Sequence, residues 1–522
     1  MADSSTLKKI SIASFIMMAS VAASRVIGLV RESAIAWAGG AKAPVDAYQI
    51  AFVIPEILNH IAASGFLSIT FIPIFTRYLS KGRDREGYEV LSHILNGFGC
   101  LLLFFIMVTM IWAQDLVRIL APGLKDPATF KLAVKMTRII IPAQFFFFAG
   151  GLFMAVQFAK ERFFIPALAP LIYNLGIIAG GLLLYERLGM EGFAWGVLAG
   201  AFLGSFLLQW AGAKKAGLRY FLIFNPRHPD FKRYILLTLP LMLGLTMTFS
   251  TEILLKFFGS FLDQGRIAAM NFAIRILFIL VGFFGQAVGM ASYPFMAKIA
   301  ANGDMDHLNR IINQTLKFIF LVIPFSVLFM VLRQEIVLIL FQRGQFDAQA
   351  AGLTAGILPF FLVGTFAFSA QTIVSRGYYA LQNTLFPALF STLCVGASLP
   401  MLYLSVKFTG VKGLALCLSL SAALNTLVLY ELWNRKSGNT NKTEVYLFFW
   451  KMVLLGLGMG MLLFFFRQGL VFFVRPDSLS GALALCMGTG ILFLILLPAA
   501  GAGFKIREIT DFHQRIMKRI RS

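Results

Sequence analysis

The chain has 522 residues, 58% of them hydrophobic and only 13% charged, and its mean hydropathy is +0.79. Soluble domains carry about twice that share of charge, which excludes a water-exposed globular protein. A bilayer crossing needs roughly 20 mostly apolar residues, so the chain reads as an all-α polytopic membrane protein. The 46 Lys and Arg against 24 Asp and Glu give a formal +22 that in a soluble chain would point to nucleic acid. Here the cations sit in short clusters between apolar runs, where retention on the cytoplasmic side accounts for them, and no nucleic-acid partner is expected.

Apolar stretches broken by charge, Gly or Pro predict about 14 transmembrane helices. They start near Ile10, Asp46, Val90, Phe130, Phe164, Glu191, Lys232, Gly265, Ile311, Gly352, Leu385, Gly410, Tyr446 and Gly481. The first follows Lys8 and Lys9 in the manner of a signal peptide, but it runs on through Arg25 and Arg31 without a cleavage pattern and reads as a span. An even count puts both termini on one side. With that side cytoplasmic, about 26 of the cations lie inside, about 14 outside and about 6 within the membrane, the bias of the positive-inside rule. Two connections fit poorly: the inside one from Ala380 to Thr384 has no cation, and the outside one from Arg118 to Arg138 has five.

Several features recur 221 residues apart: Pro73 and Gly82 with Pro294 and Gly303, Pro166 with Pro387, and Glu191-Gly192-Phe193-Ala194 with Lys412-Gly413-Leu414-Ala415. Spans one to six and seven to twelve therefore read as two copies of one six-helix unit in the same orientation, the pattern of two lobes that rock about a central cavity. The expected division is 1–220 for the N-lobe, 221–440 for the C-lobe, 441–504 for spans thirteen and fourteen, and 505–522 for a basic cytoplasmic tail suited to an anionic leaflet.

Polar residues inside spans are the candidates for function, because each is costly in the bilayer. Span one carries Ser24, Arg25, Gly28, Arg31 and Glu32, with Ser24, Gly28 and Arg31 on one helical face. Span eight adds Asn271 and Arg275 one turn apart. Guanidinium combines tolerable burial with a bidentate grip on phosphate or carboxylate, so these arginines point to an anionic substrate. The alternative for Arg31 is snorkelling or pairing with Glu32. Glu252 and Lys256, one turn apart in span seven, read as neutralising each other. Asp46, with Gln49 three residues on, resembles a capping box at the start of span two. Glu56, Asn59 and His60 lie deeper in that span. The four cysteines have no metal or disulfide spacing, and no phosphate-binding glycine loop, HExxH, GxSxG or paired-carboxylate motif is present, so neither an enzyme nor a bound metal is expected.

The ordered set Ser24-Arg25-Val26-Ile27-Gly28-Leu29-Val30-Arg31-Glu32, Asp46-Ala47-Tyr48, Phe71-Ile72-Pro73-Ile74-Phe75, Ala121-Pro122-Gly123, Phe163-Phe164-Ile165-Pro166-Ala167, Phe341-Gln342-Arg343-Gly344 and Gly377-Tyr378-Tyr379-Ala380-Leu381-Gln382-Asn383 resembles the MurJ (MviN) family of bacterial lipid II flippases, over nearly the whole chain. The resemblance implies the multidrug/oligosaccharidyl-lipid/polysaccharide exporter fold, with spans thirteen and fourteen forming a groove for the lipid tail. It implies a cationic cavity with substrate-binding residues Ser24, Arg25, Arg31, Asp46 and Arg275; the polar residues Glu32, Asn59, His60 and Asn271 within the spans stand beside them as weaker candidates. It also implies a location in the bacterial inner membrane, a polyprenyl-pyrophosphate lipid as substrate, and contacts with the cell-wall synthesis machinery. No cofactor is implied, and the energy source stays open between the membrane potential and a monovalent cation. The sequence departs from the family pattern at Glu32, usually Asp, at Asn59 and His60, where members carry arginines, and at Asn383, Leu385 and Phe386. The reading is a flippase moving lipid II outward by alternating access. The alternatives are a flippase for another lipid-linked oligosaccharide, a drug/cation antiporter of the same fold, which would need carboxylates in its cavity, and a membrane enzyme acting on polyprenyl phosphates.

Overall fold

The computed structural model describes the backbone of residues 4–62, 70–245, 250–504, 506 and 508–510, and side chains over 16–59, 70–238, 251–504, 506 and 508–510. Among these residues all regular structure is helical. The chain forms two compact units. The first runs to Ala268 and takes in Gly344–Phe346; the second comprises Ala269–Arg343 and the chain from Asp347 onward.

The first unit is built from α1 (Ser4–Gly39), α2 (Ala43–Ala51), α3 (Val53–Ala62), α4 (Ile72–Leu79), α5 (Asp84–Ile111), α6 (Ala113–Leu120), α7 (Pro127–Ile140), α8 (Ala143–Ala159), α9 (Phe164–Leu188), α10 (Glu191–Gly200), a π-helical stretch Ala201–Leu207, α11 (Leu208–Lys215), α12 (Pro229–Leu245) and α13 (Ser250–Gly259). α1 runs parallel to α9, since Ser20 Oγ donates to Ala167 O and Tyr185 Oη to Ala38 O. α9 and α10 pack backbone to backbone: Gly176 faces Gly200 and Gly180 faces Gly196, leaving no room for a Cβ. Small residues one turn apart allow this approach, which in lipid is driven by packing rather than by hydrophobic burial.

The helix α14 (Arg266–Val281) starts in the first unit and continues in the second, followed by a π-helical stretch Gly282–Ala287, α15 (Val288–Ala301), α16 (Met305–Ile319), α17 (Val322–Val331), α18 (Arg333–Phe341), α19 (Ala348–Leu362), α20 (Thr365–Ala380), α21 (Leu385–Phe408), α22 (Gly410–Ser437), α23 (Lys442–Val471) and α24 (Leu479–Gly503). α21 packs on α22, and α20 on both α15 and α22. α23 lies on α17, and α24 on α23 and α18. The attachment of α23 is fixed by a buried ion pair, Arg467 Nε to Glu335 Oε1 at 2.9 Å.

The 221-residue repeat is visible in the backbone. The offset carries Phe164, the start of α9, onto Leu385, the start of α21. Asp126 caps α7 by accepting from Thr129 N at 2.9 Å, and Asp347 caps α19 by accepting from Ala350 N at 2.8 Å. Glu161 and Gln382, equivalent by that offset, hold φ of +56° and +57°. In each the next amide reaches back to close the preceding helix, Arg162 N to Gln157 O and Asn383 N to Tyr378 O, as a helix C-terminus in the left-handed conformation requires.

Ten helical segments among the described residues are long and apolar enough to cross a membrane, or eleven with the bent pair Ala348–Leu362 and Thr365–Ala380 counted as one span. The remaining three of the expected fourteen, spans one, two and seven, each include residues outside those described.

Candidate functional site

The stripe on α1 continues onto α9 through Asn174. Arg31 Nη1 donates to Asn174 Oδ1 at 3.0 Å, Arg31 Nη2 to Glu32 Oε1 at 2.5 Å, and Asn174 Nδ2 reaches Ser24 Oγ at 3.4 Å and Pro170 O at 2.8 Å. Asn174 thus spends its amide on both the hydroxyl and the guanidinium and fixes their spacing. Glu32 is buried and Arg31 half-buried, so the ion pair expected as one alternative for Arg31 is present. Arg25, nearly two turns before Arg31 on α1, is exposed. A Cβ at Gly28 would meet no described residue within 4 Å, so among the described residues the face between Ser24 and Arg31 is open.

Asp46 does something its local sequence does not suggest. α2 begins at Ala43, with Lys42 as its N-cap, so Asp46 opens no helix and the capping box with Gln49 is not formed. Instead its buried carboxylate accepts from Gly265 N at 2.5 Å and Ala268 N at 2.7 Å, capping the first turn of α14 from across the first unit. The helix so anchored carries Asn271 and Arg275 further along.

Lys256 on α13 is buried and donates to Glu56 Oε2 on α3 at 2.9 Å. The single-turn spacing to Glu252 did not suggest this partner. Asn59 is half-buried on α3; the His60 side chain lies outside the described residues. In the second unit Asn271 is buried, and its Nδ2 has no hydrogen-bond partner among the described residues. Arg275, one turn on, is half-buried.

The first unit therefore brings Ser24, Arg31 and Glu32 together and joins to them Asn174, which the sequence reading missed. Asn174 is a lone amide in an apolar span, and the 221-residue offset places Val395 opposite it, so the repeat gave no signal. The Arg31–Glu32 and Lys256–Glu56 pairs of this unit each set a carboxylate against an embedded cation. Among the described residues no three His, Cys, Asp or Glu side chains gather in a metal-holding set. Donors of guanidinium, carboxamide and hydroxyl type along an open face suit an anion with several oxygens.

A family model described as lipid II flippase MurJ matches residues 35–477. The chain is 29% identical over 427 residues to the lipid II flippase MurJ of Burkholderia cenocepacia, covering 80% of this chain and 82% of that one. Its fold matches a solved lipid II flippase MurJ in an inward closed conformation, with a TM-score of 0.75 and 22% identity, over 94% of this chain and 99% of the other. It also matches an inward-facing multidrug resistance transporter of the MATE family, in the MOP superfamily, with a TM-score of 0.65 and 15% identity, over 80% of this chain and 96% of the other. The two-unit helical fold, its internal repeat and a family match spanning most of the sequence agree: this chain belongs to the lipid II flippase MurJ family.

Proposed function

We propose that the chain carries lipid II, an undecaprenyl-pyrophosphate-linked peptidoglycan precursor, from the cytoplasmic to the outer leaflet of the bacterial inner membrane, and leaves it chemically unchanged. The observation that carries this reading is the Ser24–Asn174–Arg31 line beside the open face at Gly28. With no substrate bound, Glu32 compensates Arg31, which makes a half-buried guanidinium affordable in the membrane. An arriving pyrophosphate competes with Glu32 for the same fork of donors, and a fork offers it two parallel charge-assisted bonds. A grip of equal strength in both end states would shift no equilibrium. Exchange between Glu32 and the phosphate gives the grip a way to depend on state. Arg25, on the same helix, supplies a further donor. The polyprenyl tail stays in lipid along α23 and α24, both termini are cytoplasmic, and the membrane potential or a monovalent cation resets the carrier.

Vesicles containing the purified protein and labelled lipid II test the reading. Unaltered lipid appearing in the opposite leaflet supports it. A chemically altered product would make the protein an enzyme on polyprenyl phosphates, and no movement of lipid II by well-folded protein would overturn the assignment.

A further inference from the structure

In the second unit α15 and α20 meet along a seam opened by two glycines. A Cβ at Gly285 would stand 2.8 Å from Ser369 Cα, and the Gly285 carbonyl, in the π-helical stretch, accepts from Thr372 Oγ1 at 3.1 Å. One turn on, the space left by Gly289 is filled by the Arg376 guanidinium: a Cβ there would stand 2.6 Å from Nη1 and 2.9 Å from Cζ. Arg376 Nη1 is shielded from solvent and has no hydrogen-bond partner among the described residues. Arg31, Lys256 and Arg467 each face a carboxylate. Among the described residues none pairs with Arg376, whose titratable neighbours are the phenols of Tyr293 and Tyr379. Plain snorkelling would put the whole guanidinium into water; here one arm is held in the seam.

The position along the helices narrows the ligand. Arg376 lies roughly 6 Å from the end of α20, and Tyr293 lies roughly 27 Å along the helix axis from Arg275. In the proposed topology these ends of α15 and α20 are cytoplasmic, which puts Arg376 at the level of the inner headgroups and well apart from Arg275. A guanidinium with no carboxylate partner among the described residues, and with two phenols for neighbours, matches a lipid-borne phosphate at that level. We propose that Arg376, Tyr293 and Tyr379 form a lipid-phosphate subsite at the cytoplasmic end of the α15–α20 seam. Two lipids present this chemistry, the substrate's polyprenyl pyrophosphate and the bilayer's anionic glycerophospholipid. Only the first rests on the flippase reading.

The test measures retention of lipid II, of phosphatidylglycerol and of inorganic pyrophosphate by the full-length protein, using native mass spectrometry and titration in detergent. Arg376→Gln is expected to weaken retention of at least one lipid roughly tenfold or more, Arg376→Lys less, and the Tyr293→Phe/Tyr379→Phe pair less again. A loss confined to lipid II identifies the substrate as the source, and a loss confined to phosphatidylglycerol identifies the bilayer lipid. Equal retention of both lipids by wild type and by an Arg376→Gln variant that melts normally overturns the subsite, as does tight capture of free pyrophosphate alone. Should Arg376→Gln melt early, Gly289→Ala, which crowds the guanidinium and keeps its charge, is expected to weaken the same lipid, and unchanged retention would overturn the proposal equally. If wild type ignores lipid II while Arg376→Gln loses phosphatidylglycerol, the transport reading fails and the subsite stands.

Discussion

Two single residues separate binding from architecture. Asp46 satisfies two buried amides at the start of α14, and an unsatisfied buried donor costs about 1–3 kcal/mol. Asp46→Ala is therefore expected to lower the melting temperature of the purified protein and Asp46→Asn to lower it less, since the amide keeps one acceptor. Lost transport with unchanged melting would reassign Asp46 to the substrate. For Arg31 the two roles separate through its partner. Arg31→Ala leaves the Glu32 carboxylate buried with its cation gone, which destabilises strongly. Adding Glu32→Gln removes the stranded charge, so the double variant should regain melting temperature but still move lipid II about tenfold to a hundredfold more slowly. Recovery of transport in the double variant would mean that Arg31 serves only to neutralise Glu32.

At the scale of elements, the α9–α10 interface depends on glycines that admit no side chain. A Cβ at Gly180 would come within 2.7 Å of Gly196 N. Gly180→Val must part the helices, and overpacking of this kind costs about 1–3 kcal/mol. Reduced abundance and melting are expected, whereas Gly28→Ala, facing open space, should leave both unchanged. A second tie joins α4 to α12: Tyr78 Oη and Arg77 Nη2 donate to Asp230 at 2.5 and 2.6 Å. Burial pushes the Asp230 carboxyl up, but these hydrogen bonds and the Arg77 charge outweigh it and hold it below the ordinary value. A depressed carboxylate contributes stability above its unfolded value, about 3.9, and loses it as pH falls through the lowered one. Asp230→Asn should flatten that acid limb of a melting-versus-pH curve. The difference is expected to stay within about 1 kcal/mol because Arg77 is 42% exposed.

The same scale explains what could be read in advance. Span periodicity, the repeat and the Ser24–Arg31 stripe follow from local spacing, which survives folding. The Asp46 cap and the Lys256–Glu56 pair join residues about 200 positions apart, and local spacing pointed each time to a nearer partner, Gln49 or Glu252. For Asn174 and Arg376 local spacing names no partner at all. Their significance comes from the neighbouring helix, α1 for Asn174 and α15 for Arg376.

At the scale of the molecule the proposed orientation in the membrane rests on the parity of the spans and on the cation bias. The parallel run of α1 and α9, spans one and five, requires an even number of crossings between their starts, as the span order predicts. With six spans in each 221-residue copy, as the span order predicts, the second copy enters from the same side as the first. On the proposed reading the cation bias makes that side cytoplasmic. In a background lacking Cys100, Cys394, Cys417 and Cys486, cysteines placed near Arg83, Arg227 and Lys436 should be shielded from an impermeant thiol reagent in intact cells, and one near Lys42 should react. Arg227 is the most demanding position, because it lies in the connection between the two copies and its side fixes the parity of both at once. Labelling there from outside would invert the assignment, put the α15–α20 seam on the outer face, and remove the basis for a cytoplasmic lipid-phosphate subsite at Arg376.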